Sequence, residues 1–295
     1  MTNPANTARL PLAVPTAMHD DASLDRDGQA ALAAAVADAG ADAVSVLALG
    51  SGEPGELDDD ERVAVLTASR QGAGGIPVLA GVGPPGPAQL ATARRLADAG
   101  ADLLVVPLGG AGEHRLELLG RIASLALPVV VHHHPGVTGV AVPSQDLIDL
   151  VRHIEATAVL SEVAPVPDAV AALVAADVTV FGGLGGLFLP EELDAGAHGT
   201  AAASAVPEHL AEVARRHRTG ERGAAREQLL VAAGYLRLEA GSTGTVVRKE
   251  AWRQRGLLRS GRVRRGAPLG PTTKAVLTQR LGELGVELAA PWPGA

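Results

Sequence analysis

The chain has 295 residues, 47% of them hydrophobic, with 33 acidic against 25 basic side chains and a formal net charge of −8. That length buries a sizeable core in one large domain or two small ones. The absence of cysteine excludes disulfides, thiolate metal sites and cysteine nucleophiles, and the acidic balance argues against a general nucleic-acid binder.

In chain order, eight short apolar runs read as strands, at 10–14, 43–48, 77–81, 102–107, 128–132, 156–161, 178–182 and 199–203. Most are continuous in Val, Leu and Ala rather than alternating, which suits parallel strands covered on both faces. Helices are expected between them, near 25–39, 58–71, 86–99, 113–125, 143–154, 165–174, 187–195 and 206–218. Asp58, Asp59, Asp60 and Glu61 place negative charge where a helix dipole favours it. The segment Ala37–Asp42 recurs as Ala97–Asp102, each copy ending a helix at a glycine and leading into a strand. Eightfold β-then-α alternation predicts an α/β fold, the (β/α)8 TIM barrel, over residues 1–219; an open doubly wound sheet is the alternative. Residues 220–295 break the pattern and predict a C-terminal helical extension packed on the barrel, with helices near 222–240, 243–255 and 271–285.

The N-terminus MTNPANTARLPLAV lacks a basic region followed by a long apolar stretch, and no run of about 18 uncharged apolar residues occurs. A cytoplasmic protein without membrane or nucleic-acid partners is therefore expected.

Several segments together resemble the dihydrodipicolinate synthase / N-acetylneuraminate lyase family of class I aldolases, from about residue 10 to 287. Leu12-Ala13-Val14-Pro15-Thr16-Ala17-Met18 resembles that family's first strand. Leu49-Gly50-Ser51-Gly52-Glu53 is similar to its GTTGE loop, and His132-His133-His134-Pro135-Gly136-Val137-Thr138-Gly139 stands where the family has YNxPxRTG. Lys249-Glu250-Ala251 through Arg265-Gly266-Ala267-Pro268-Leu269 resembles its C-terminal signature. The resemblance implies a barrel lyase that forms a Schiff base between a strand-6 lysine and a 2-keto acid, and a homo-oligomer.

The residues that would carry that chemistry differ. The lysine's position holds Ser161, and a hydroxyl forms no imine. The relay tyrosine matches His132, a second tyrosine segment matches Pro107-Leu108-Gly109, the first threonine of GTTGE matches Gly50, and the carboxylate-gripping arginine matches Val137. Independently of any alignment, the only lysines are Lys249 and Lys274, and the single tyrosine is Tyr235. No Schiff-base aldolase activity is expected. The chain is then either a lyase-family homologue that binds a small molecule or protein partner without turnover, or an enzyme of different chemistry that uses His132 as acid/base, with Ser161, Glu162 or a metal, on a small polar substrate.

The candidate catalytic residues are His132 and Ser161. Strand alternation puts His132 and His134 on one side and His133 on the other, at the strand end where barrel active sites lie. Acid/base work by His132, metal binding with Glu162, Glu53 or His19, and hydrogen bonding to loop backbone are all open. No third ligand is fixed by spacing, so no resident metal or cofactor is expected. Ser161 is expected to face the barrel, as a small filler or as half of a Ser–His pair. Gly50, Ser51, Gly52, His134, Gly182 and Gly183 are the candidate substrate-binding residues. Gly50–Gly55 also fits GxGxxG, but Pro54 and the acidic helix start make it a poor dinucleotide loop. The glycine-rich segments Gly109–Gly112 and Gly182–Gly186 line the mouth or merely turn the chain. The basic stretch from Arg248 to Arg265 reads as a solvated helix face with intramolecular acidic partners.

Overall fold

The computed structural model describes residues 8–110 and 112–289. Residues 1–7 and 290–295, at the outer ends of the expected barrel and extension, and Ala111 of the loop after the fourth strand lie outside the described residues. The strands are β1 (Pro11–Ala13), β2 (Ala43–Val46), β3 (Val78–Gly81), β4 (Leu103–Pro107), β5 (Val129–His133), β6 (Ala158–Ser161), β7 (Val180–Gly182), β8 (Gly199–Thr200) and β9 (Ala202–Ala203). They form one parallel sheet in the order β8-β7-β6-β5-β4-β3-β2-β1-β9. The terminal pair β8 and β9 are separated only by Ala201, and they pair with β7 and β1 respectively. They are the single expected strand 199–203, shared across the seam. The sheet closes through it, and the expected (β/α)8 barrel is the observed fold.

Alternation sorts the strand residues into two cores. Ala43, Leu79, Leu103, Val105, Val130, Ala158, Leu160 and Phe181 fill the barrel together with Ala8. Their neighbours, such as Val44, Val46, Leu104, Val131, Val159 and Val180, face the surrounding helices in the larger core. Strands covered on both faces explain the continuous apolar runs of the sequence.

The repeated segment has a physical use in both copies. The helices Arg26–Asp38 and Gln89–Asp98 each end just before a glycine of positive φ, Gly40 at 100° and Gly100 at 92°, where other residues are strained. The aspartate that follows then ties down the start of the preceding strand. Asp42 accepts the Arg9 and Leu10 N–H groups at 2.8 and 2.7 Å, and Asp102 accepts that of Val78 at 2.8 Å. The acidic start of the helix Asp59–Gly72 is a full capping box between Asp58 and Glu61.

The chain closes with the helices Pro207–Arg218, Arg222–Glu239, Gly244–Gln254 and Pro271–Glu283. The helix Arg222–Glu239 packs against Pro207–Arg218 and Leu189–Asp194. A short helix, Pro135–Thr138, follows β5 and is absent from the sequence-based expectation. Among the described residues no helix is long and apolar enough to cross a membrane.

Candidate active site

The C-terminal end of β5 delivers three histidines to different places. The parity set by Val130, which lies inside the barrel, also puts His132 and His134 inside and His133 outside. His132 and His134 have ring centroids 5.6 Å apart. Between them stands Glu162, the residue after β6. His132 Nε2 and Glu162 Oε1 are hydrogen-bonded at 2.9 Å, and His134 Nε2 lies 3.6 Å from Glu162 Oε2. The Leu184 N–H donates to the same Oε2 at 3.1 Å. His133, on the opposite face, accepts the Val142 N–H on Nε2 at 3.1 Å and is structural.

The cluster is sheltered: side-chain exposure is 4% for His132, 16% for His134 and 17% for Glu162. Burial pushes the Glu162 carboxyl up, but the His132 hydrogen bond, the charges of His132 and His134 and the Leu184 N–H outweigh it and hold it below the ordinary range. Burial lowers His134, with Glu162 opposing; burial and the neighbouring cations lower His133. The site thus holds an anionic carboxylate facing two imidazoles. Among the described residues no group of three or more His, Asp or Glu is arranged to hold a metal ion.

Ser161 requires a correction. Leu160 belongs to the barrel interior and Val159 to the helix-facing core, so alternation turns Ser161 outward with Val159. Its register partner is His133, not His132. The structure therefore does not join Ser161 to His132; the β6 residues that face the barrel are Leu160 and Glu162. A one-residue slip in the assumed parity moved the candidate from one face to the other.

The glycine candidates take specific places. A Cβ on Gly182 would overlap the carboxyl group of Glu192, and one on Gly183 would stand 2.5 Å from Glu162 Cγ. The Gly-Gly pair is thus a backbone seam with one carboxylate on each side. In the loop after β2, the Gly50 carbonyl accepts Arg248 Nη2 at 2.6 Å and Thr245 Oγ1 at 3.1 Å. The Gly52 carbonyl accepts Thr16 Oγ1 at 2.6 Å, and a Cβ on Gly52 would stand 2.6 Å from Leu47 Cα. Ser51 is 1% exposed and its hydroxyl has no partner. Val137, matching the family's arginine, is 50% exposed on the short helix.

The C-terminal helices supply residues that the sequence reading had assigned to a solvated face. Arg248 and Lys249 are buried. Arg248 Nη1 donates to the Glu239 carbonyl at 3.1 Å, and Tyr235 and the Ala205 N–H both donate to Glu239 Oε1. Lys249 pairs with Glu53 and donates to the Arg262 carbonyl at 2.7 Å. Four of the remaining basic residues do have intramolecular acidic partners: Arg253 with Glu250, Arg255 with Glu208, Arg264 with Glu61 and Arg265 with Glu56. Sequence alone gave no sign that two of these cations seal the mouth loop.

A family model described as the dihydrodipicolinate synthetase family matches residues 6–280. The chain belongs to this family. A probable 5-dehydro-4-deoxyglucarate dehydratase 2 of Streptomyces avermitilis is 42% identical over 130 residues, 42% of this chain and 39% of the relative. An uncharacterized DapA-like lyase of Halobacterium salinarum is 41% identical over 136 residues, 43% of each. The matches thus span well under half the length of these curated relatives. The dihydrodipicolinate synthase structure from Rhodopseudomonas palustris superposes with a TM-score of 0.87 at 25% identity, covering 95% of this chain and 98% of that one. That from Aquifex aeolicus gives 0.87 at 20% identity over 96% and 99%, which shows the fold.

Proposed function

We propose that this chain is a lyase-family barrel that works without an imine, its mouth carrying His132 as a general acid/base held by Glu162. The 2.9 Å hydrogen bond from His132 Nε2 to Glu162 carries the reading. With Glu162 ionised, that bond places the proton on Nε2 and leaves Nδ1 as the basic nitrogen. The imidazolium formed when Nδ1 takes a proton is stabilised by the carboxylate across the bond, the same logic by which an acid orients a catalytic histidine elsewhere. Leu160 and Ser161 at the end of β6 offer no amine, and no lysine precedes residue 249. Lys249 is committed to Glu53. Among the loop candidates, the Gly50 and Gly52 carbonyls are already occupied, so the Ser51 hydroxyl and His134 are the groups left to meet a ligand.

The substrate class proposed is a small hydroxy or keto acid. The partial match to relatives named as dehydratases supports a reaction in which proton removal drives loss of water. The near-complete burial of His132 favours one competing reading, a homologue that binds such a molecule without turning it over.

Borohydride treatment with pyruvate is expected to leave no adduct within residues 1–248. Turnover of a panel of sugar acids, read as formation of the dehydrated keto acid, is expected to fall by roughly 100-fold or more in His132→Ala, the scale of acid/base catalysis. A reduced adduct mapped to residues 1–248, or turnover unchanged in His132→Ala, refutes the proposal.

A further inference from the structure

We propose that Glu192 is the positioning residue of this mouth: acting through the Gly183–Leu184 backbone, it sets where the Glu162 carboxylate stands and so how His132 and His134 are held. This rests on the reading of His132 and Glu162 as the working pair, and it concerns a residue that never touches the ligand.

Glu192 lies on the helix Leu189–Asp194 and is fully buried. An acid near a helix start is ordinary at the surface, where the dipole favours it; an acid in the core needs partners. Glu192 has two. Its Oε1 accepts the Gly183 N–H at 3.0 Å, and its Oε2 accepts the Thr200 hydroxyl. Its carboxyl fills the volume that any side chain at 182 would need. The next N–H along the chain, that of Leu184, is the one aimed at Glu162 Oε2. The two carboxyl groups thus grip consecutive N–H groups of one short turn from its two faces, Glu192 from the helix layer and Glu162 from the barrel mouth. Leu184 sits at a φ of 51°, a conformation that side chains rarely adopt, so the turn depends on these tethers to stay in place.

The turn transmits charge as well as position. Burial raises Glu192 to about 7, with the Thr200 and Gly183 bonds opposing and the charges of Glu162 and Glu191 adding to the rise. The cations that meet this helix, His217, Arg222 and Arg226, are taken up by Asp194. The helix Val166–Val174, also packed against it, has Asp168 as its one charged residue. Glu192 therefore changes charge near neutral pH across the seam from Glu162.

The test is side-chain 15N NMR of the histidines of the whole protein, which requires no substrate. In the wild type, His132 is expected to show its proton on Nε2, and the His132 and His134 ring signals are expected to carry an inflection near pH 7 from Glu192. Glu192→Gln keeps an acceptor for Gly183 and gives Thr200 a donor; it is expected to leave the His132 tautomer intact and abolish the inflection. Glu192→Leu removes both tethers and is expected to scramble the His132 tautomer and move the His134 midpoint further down as Glu162 withdraws. Ring signals that overlay the wild type in a folded Glu192→Leu protein overturn the proposal. Should Glu192→Leu fail to fold, an inflection that persists in Glu192→Gln overturns it equally. The readings fail separately: ring coupling that follows Glu192 while turnover ignores His132→Ala sinks the acid/base function and leaves the positioning role standing.

Discussion

Replacing Glu192 by Gln is expected to stabilise the protein at alkaline pH and not at acidic pH. The side chain is fully buried, and its carboxyl is raised from 4.5 to about 7, first by burial. Below pH 4.5 both folded and unfolded chains hold the proton, and the fold bears no penalty. Between 4.5 and 7 the unfolded chain ionises while the folded one keeps its proton, so stability falls as pH rises; above 7 the loss is complete. The rise from 4.5 to about 7, at about 1.4 kcal/mol per pH unit, amounts to roughly 3.5 kcal/mol in full. Gln cannot ionise and fits the same two partners, so its advantage over Glu is expected to grow by about 2.5 kcal/mol from pH 5 to pH 8, the part of the loss that falls between those values. Urea unfolding of both proteins at the two pH values measures the difference of differences, in which any pH-independent cost of the amide cancels. An advantage constant to within about 1 kcal/mol between pH 5 and pH 8 refutes the assignment of the titration to Glu192.

Other substitutions follow from specific contacts. Lys249→Met leaves Glu53 without its cation in a buried setting, and breaking such a pair costs about 3–5 kcal/mol; denaturant titration is expected to show this loss and a partial recovery in the double variant with Glu53→Gln. Gly72→Ala would set a methyl 2.7 Å from the Ala30 carbonyl carbon, where the helices Arg26–Asp38 and Asp59–Gly72 cross. Pushing them apart is expected to cost about 1–3 kcal/mol, read as a lowered Tm. His133 accepts the Val142 N–H in its neutral form and burial holds it below 6.5. A depressed folded pKa gives stability that is present above 6.5 and lost as pH falls through the folded value, so Tm is expected to drop on acidification. His133→Gln should flatten that slope, and an unchanged slope would exclude His133 as its source.

Much of the fold was legible in the chain because each unit announces itself locally. The apolar runs, the capping box at Asp58–Glu61 and the paired Ala-Asp-Ala-Gly-Ala-Asp segments all act over a few residues, and all eight expected strands have counterparts in the barrel. The bend that divides the last strand between β7 and β1 is a property of closure, and no local signal marks it.

The sequence by itself determined the barrel and the absence of any lysine before residue 249. It also placed His132 and His134 on one side of β5, since alternation is a property of the strand alone. It did not determine which side of β6 faces in, because Ala158–Ser161 is apolar or small throughout and either parity buries it well. Tertiary closure made that choice, sending Leu160 and Glu162 inward and Ser161 outward, and so selected Glu162 over Ser161 as the partner of His132. It also decided that Glu192, one of two adjacent acids at a helix start, is the buried one: a position next to Glu191 in the chain differs from it only through what packs against it, and here that is the side-chain-free backbone of Gly182.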